Sequence, residues 1–164
     1  MLRARYPNNL SVDAKGRVTL PARIREELGI DEEQAVEFHV GVLLDPCIYL
    51  HTEEQHERFL EAFEYVVDDT QEGRMLKTMV HASFVPVTND RTGRVNLPKD
   101  VLENAGITKE VVVVAMRERL ELWSAEKFAE MSRANEAGFR QGLEAALGRV
   151  GEARRAAQTH ASDD

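Results

Sequence analysis

The chain has 164 residues, 43% of them apolar and 6% aromatic, enough to bury one substantial core or two small ones. No apolar run approaches the roughly 20 residues of a membrane span, and the opening "MLRARYPNN" lacks the apolar segment of a secretory leader; together these predict a soluble, cytoplasmic protein. Cys47 is the only cysteine, which excludes an intrachain disulfide and a thiolate metal cage, and the net charge of −8 excludes a uniformly basic surface for nucleic acid.

The charge is unevenly distributed. Residues 1–25 hold Arg3, Arg5, Lys15, Arg17, Arg23 and Arg25 against Asp13 alone, a net +5 that leaves −13 for the remainder. This asymmetry predicts one cationic face on an acidic body; scattered solubilising charge is the alternative reading.

In chain order, an alternating stretch leads into "DAKG" at 13–16, a four-residue loop in which Gly16 supplies the positive φ of a hairpin turn, and "RVTL" follows as a short strand. Pro21 suits the first position of a helix and Gly29 the position just past its end. Two β-rich runs come next, "AVEFHVG" and "CIYLHT". Thr52 and Gln55 form a capping box for a longer helix, whose stripe of Phe59, Leu60, Phe63, Val66 and Val67 reads as core. His51 and His56 fall at the start of that helix, where solvated polar residues are expected. Among His39, Asp45, Cys47, His51 and His56 no metal-ligand or nucleophile–base spacing stands out, and Cys47 reads as a buried, unreactive thiol. We therefore expect no catalytic residues, no metal and no cofactor. The stretch "DDTQEG" at 68–73 reads as a linker.

The grammar then repeats. Residues 90–107 match 13–30 without gaps at nine of eighteen positions, against about one by chance, so the chain contains an internal duplication. "DRTG", "RVNL", Pro98 and Gly106 take the places of their first-copy counterparts, and "EVVVVAM" and "LELWS" follow as strands. A second long helix starts near Ser124 and runs through Phe128 and Met131. Beyond it Gly138, Gly142, Gly148 and Gly151 interrupt an Ala/Arg/Glu-rich stretch, and the final "AAQTHASDD" has nothing to bury, which predicts fraying and disorder. The expected organisation is a first repeat with its helix at 1–67, a linker at 68–76, a second repeat with its helix at 77–135, and a frayed helical or disordered tail at 136–164.

Two readings of the loops stay open. In the bland one, Asp13 and Asp90 bond the loop amides and pair with Arg17 and Arg94, stabilising a turn. In the other, Lys15, Arg17, Arg91 and Arg94 project from adjacent loops toward DNA, where arginine can bridge guanine O6 and N7 and lysine can hold a phosphate. An arginine oriented by its aspartate satisfies both readings.

On the doubled "DAKGR" and "DRTGR", the following "RVTLPARIREELGI" and "RVNLPKDVLENAGI", and "LELWSAEKF", the sequence resembles the MraZ family of bacterial transcription regulators over roughly residues 1–135. The resemblance implies an α+β fold: duplicated swapped-hairpin (SpoVT/AbrB-like) domains of β-barrel type forming a pseudo-dimer, each followed by a longer helix. It implies a ring homo-oligomer that binds promoter direct repeats upstream of the division and cell-wall genes and represses its own operon at the nucleoid. Its DNA-binding residues map onto Lys15, Arg17 and Arg94, with Arg91 and Thr92 as additions and Arg3 and Arg5 as flanking cations. Asp13, Gly16, Asp90 and Gly93 would orient the loops. The chain departs from the family in having Leu2 and Ala4 where phenylalanine and glycine are common, and in two extra residues between Tyr6 and Asp13. The competing expectation is a protein–protein module of the same fold, antitoxin-like or scaffold-like, with the tail wrapping a partner.

Overall fold

The computed structural model describes the backbone of residues 4–30, 35–65 and 69–160, with side chains through residue 150. The chain divides into two compact units, Met1–Phe128 and Ala129–Asp164. The first begins with β1 (Leu10–Ser11), β2 (Arg17–Thr19), α1 (Ala22–Glu27), β3 (Glu37–Gly41), β4 (Cys47–Thr52) and α2 (Glu53–Glu64). It continues through α3 (Gln71–Ala82), β5 (Phe84–Thr88), β6 (Arg94–Asn96), α4 (Lys99–Ala105), β7 (Glu110–Ala115) and β8 (Leu120–Ser124). Helix α5 (Ala125–Ala134) leads out of it, and α6 (Glu136–His160) makes up most of the second unit.

Strand pairing crosses between the two repeats. An antiparallel six-stranded sheet has the order β1-β7-β8-β4-β3-β5, and a two-stranded sheet pairs β2 with β6. The first strand of each repeat therefore pairs with the other repeat, β1 with β7 and β5 with β3. Each Asp-to-Gly loop is closed within its own repeat by one bridge, Val12 to Val18 and Asn89 to Val95. This is the swapped-hairpin fold, laid out in two sheets among the described residues.

The register defines a pseudo-twofold axis. In the small sheet Val18 faces its repeat counterpart Val95, with Arg17 opposite Asn96 and Thr19 opposite Arg94. At the β4–β8 junction Tyr49 faces Glu121, flanked by Ile48 opposite Leu122 and Leu50 opposite Leu120. Reversing the order of the large sheet exchanges the repeats and leaves it unchanged.

Side-chain alternation explains the core. Val18 and Val95 point inward between outward Arg17, Thr19, Arg94 and Asn96, and Phe38 and Val40 do the same on β3. Leu20, Leu97, Ile24, Val101 and Ala105 close the layer from the strand ends and short helices. β4 and β8 are buried on both faces, which is why "CIYL" and "LELW" are near-continuous apolar runs. Pro21 and Pro98 stand one residue ahead of their helices, with extended ψ of 148° and 145°.

Several expectations are corrected. Residues 71–76 of the expected linker belong to α3, which Thr70 caps by accepting from the Gly73 amide at 3.0 Å. Residues 136–160, expected as a frayed helical or disordered tail, form helix α6, along which Phe139, Leu143, Leu147 and Val150 lie exposed; residues 161–164 lie outside the described residues. The capping box of Thr52 and Gln55 is formed, but Phe59, Leu60 and Phe63 are only half-buried, and Val66 and Val67 lie outside the described residues.

The fully covered positions beneath α2 are instead the histidines read as solvated. His51 sits on β4 and is 1% exposed, and His56 on α2 is 8% exposed. Their Nδ1 atoms are 3.4 Å apart, His39 stacks on His56 at 4.0 Å, and Phe59 and Phe84 complete the cluster. Desolvation comes first in holding both His51 and His56 down to about 4; charge on His56, Arg119 and His39 adds to it at His51, and charge on His39 and His81 adds to it at His56, where Glu53 opposes it. Free histidine titrates at about 6.5, so between pH 6.5 and 4 the unfolded chain binds more protons than the folded one. Stability from these rings is complete above pH 6.5 and declines as the pH falls through that window. Thermal unfolding followed by circular dichroism should show a midpoint several degrees lower at pH 4.5 than at pH 7. A midpoint flat over that range would mean that both rings accept protons without loss of packing.

Candidate nucleic-acid interface

The two loops are built from the same bonds. In the first, the Asp13 amide donates to the Arg17 carbonyl at 2.9 Å and the Gly16 amide to the Asp13 carbonyl at 2.9 Å. Asp13 Oδ1 accepts from the amides of Lys15 (2.8 Å) and Arg17 (3.0 Å), and Oδ2 from Arg17 Nε and Nη2, both at 2.7 Å. In the second, Asp90 and Arg94 make the corresponding turn, and Asp90 Oδ1 accepts from the amides of Thr92 (2.9 Å) and Arg94 (3.1 Å). Arg94 Nε donates to Asp90 Oδ2 at 2.7 Å. Gly16 at φ 78° and Gly93 at φ 73° make the turns possible.

These bonds hold the aspartates ionised. The Arg17 guanidinium, followed by the loop amides, holds Asp13 down to about 2. The Thr92 hydroxyl and then Arg94 hold Asp90 well below the usual carboxylate range. Each charged carboxylate grips one edge of its arginine, and about a third of each arginine side chain stays open to solvent, 29% and 37%. A guanidinium has five N–H donors in a fixed fork; one edge serves the loop and the other remains directed by it.

The loops lie at opposite ends of the β2–β6 ribbon and interlock with the other repeat's strand. The Leu97 amide donates to the Gly16 carbonyl at 3.0 Å, and the Leu20 amide to the Gly93 carbonyl at 3.2 Å. Lys15 and Arg91 are exposed at the loop tips. Thr92 Oγ1 donates to Asp90 Oδ1 at 2.7 Å, so this hydroxyl helps orient the loop. Arg5 bridges to Val114 of β7, with its guanidinium 5.4 Å from the Phe128 ring centroid; the structure does not join it to the loops. Arg3 lies outside the described residues.

Three features escaped the sequence. Arg25 packs against Gly93, and its Nε is buried without a hydrogen-bond partner among the described residues. Asn89 is buried, accepts from the Val36 amide at 2.7 Å, and donates to the Asp90 carbonyl at 2.9 Å; its counterpart in the first repeat is Val12. Glu37, His39 and Glu53 gather donor atoms within 4.8 Å of one another, with His39 Nε2 and Glu53 Oε2 at 2.6 Å. Their wide sequence spacing gives no metal-binding signal, since only the β3–α2 packing unites them. Cys47 is fully buried, and burial is the main cause raising its thiol to about 12, far from a reactive thiolate.

Comparison with known proteins agrees with this architecture. The family model for MraZ protein matches residues 81–150, and that for antidote-toxin recognition MazE, a bacterial antitoxin, matches 10–46. A protein named transcriptional regulator MraZ from Chlorobium phaeobacteroides (strain BS1) is 36% identical over 126 residues, 75% of this chain and 84% of the relative. Its namesake from Mycoplasmopsis pulmonis (strain UAB CTIP) is 35% identical over 118 residues, covering 72% and 76%. The one from Carboxydothermus hydrogenoformans is 32% identical over 131 residues, covering 80% and 87%. No helix among the described residues is long and apolar enough to cross a membrane. With that likeness spread over most of the chain, and with each repeat carrying its aspartate-clamped arginine loop, the chain belongs to the MraZ family.

Proposed function

We propose that this chain is a sequence-specific DNA-binding transcriptional regulator, a repressor of its own operon among the division and cell-wall genes, acting at the nucleoid without catalysis or cofactor. The observation that carries the reading is the pair of loops, each with its arginine fixed by an ionised aspartate and a cation at its tip. Arg17 and Arg94 read guanine edges, while Lys15 and Arg91 hold phosphates. The acidic body turns duplex away elsewhere, so binding is confined to the loops.

Assembly multiplies the contact. Met75, Leu76 and Met79 of α3 are exposed and supply apolar surface for a ring of chains, which would set many loop pairs against promoter direct repeats and raise weak contacts through effective concentration. The match of the first repeat to an antitoxin family favours a second reading, a toxin-binding module.

Salt dependence separates the two. If Lys15 and Arg91 each neutralise one phosphate, they alone should contribute about −1.8 per bound chain to the log–log slope of affinity against salt, multiplied by the chains engaged. Fluorescence anisotropy with the duplex upstream of the chain's own gene, between 50 and 200 mM salt, measures it. A slope near zero would rule out the loop-to-phosphate reading.

A further inference from the structure

The repeat supplies its own control for each loop. Beneath the first loop lies Leu102 of α4: a Cβ added to Gly16 would meet Leu102 Cδ1 at 3.3 Å and the Leu97 carbonyl at 2.9 Å. Beneath the second loop lies the residue at the matching position of α1, Arg25: a Cβ added to Gly93 would collide with Arg25 Cδ and come within 3.0–3.1 Å of its Nε and Nη1. Each loop thus rests on the other repeat, one on a leucine and one on an arginine.

The leucine shows what packing alone requires at that position. An arginine fills the space at a cost, because its Nε is buried with no hydrogen-bond partner among the described residues. The carboxylate of that loop, Asp90, is bonded instead to Arg94 and Thr92. A buried N–H without an acceptor destabilises the fold, so an arginine here gains its justification from something the isolated chain lacks. The residue is cationic and half-buried, and its side chain lies against the loop that carries Arg91 and Arg94.

Building on the DNA-binding reading, we propose that Arg25 is a DNA-backbone contact serving the second loop alone. Its outer N–H groups take a phosphate oxygen beside the bases approached by Arg94. The second loop then engages its half-site with Arg25, Arg91 and Arg94, whereas the first engages its half-site with Lys15 and Arg17. Asn89 and the Thr92 hydroxyl hold the second loop by bonds that Val12 and Lys15 do not reproduce in the first. The pseudo-symmetric chain therefore binds asymmetrically, anchored by the second loop and completed by the first.

The test is Arg25→Leu, which gives the second loop the same kind of support as the first, with Arg25→Gln as a second variant that keeps length and polarity. Binding to the upstream duplex is measured by anisotropy across 50–200 mM salt. Arg25→Leu should weaken binding on the order of tenfold, as expected for one charge-assisted hydrogen bond, and make the log–log slope shallower by about 0.9 per chain. Its thermal midpoint should be unchanged or higher. The loss should persist when Lys15 and Arg17 are alanine and vanish when Arg91 and Arg94 are alanine. Wild-type slope and affinity in folded Arg25→Leu or Arg25→Gln would overturn this proposal and leave the DNA-binding reading intact. Equal loss in both loop-deleted backgrounds would also overturn it. A wild-type chain with no preference for the duplex would overturn both.

Discussion

Arg17→Ala should weaken binding to the upstream promoter duplex by about 1–3 kcal/mol, a factor of roughly 5 to 150, and Arg94→Ala should do at least as much. Asp13 fixes Arg17 through Nε and Nη2, so in the proposed complex the opposite edge of the fork would meet DNA without the entropy cost of ordering a free side chain. The loss should fall on promoter DNA and spare scrambled duplex, because a base contact supplies discrimination and a phosphate contact does not. Circular dichroism should be unchanged, since the loop closes through backbone bonds that alanine keeps. Equal loss on both duplexes would make Arg17 a phosphate ligand and would move base reading to other side chains.

The second large effect is on stability. Leu122 is 1% exposed at the junction of the repeats, opposite Ile48 on β4 and Val113 on β7. Leu122→Ala removes apolar contacts and leaves a cavity in a sheet covered on both faces, at a cost of about 2–5 kcal/mol. That is a large share of a typical domain stability of about 5–15 kcal/mol. Because β1, β5 and the β4–β8 pair all cross between repeats, the first unit should unfold as one. Urea denaturation should show a single transition with a lower midpoint and an unchanged slope. Two transitions, only one of them shifted, would mean that the repeats fold independently despite the exchange of strands.

The parts legible in the sequence are those governed by residues close together in the chain. The Asp-to-Gly turn, its arginine, the proline that stands just ahead of each short helix, one residue earlier than expected, and the glycine that ends it are local chemistry. The nine matches between 13–30 and 90–107 double the signal. The exchange of strands is not local: Leu10 and Phe84 carry no mark of which repeat they will pair with, and it was the family resemblance that supplied it. His51 and His56 were misread for the same reason, since a polar residue beside a helix cap looks solvated until Phe59 and Phe84 arrive from elsewhere to cover it. In α3, Thr70 is a fair cap and Met75, Leu76, Met79 and Val80 have helical spacing, but Gly73 and the preceding acidic run suggest a break. Arg25 is the most instructive case. Its charge is plain in the sequence, yet only the packing of one repeat on the other puts it beneath Gly93.

The most direct test of the account is wild-type fluorescence anisotropy at about 150 mM salt, comparing the duplex upstream of the chain's own gene with a scrambled duplex of equal length and composition. The account predicts a preference for the upstream duplex of at least about a thousandfold, the lower end for specific DNA binders. Equal, weak binding to both would contradict it and return the paired loops to their simpler role as aspartate-stapled turns.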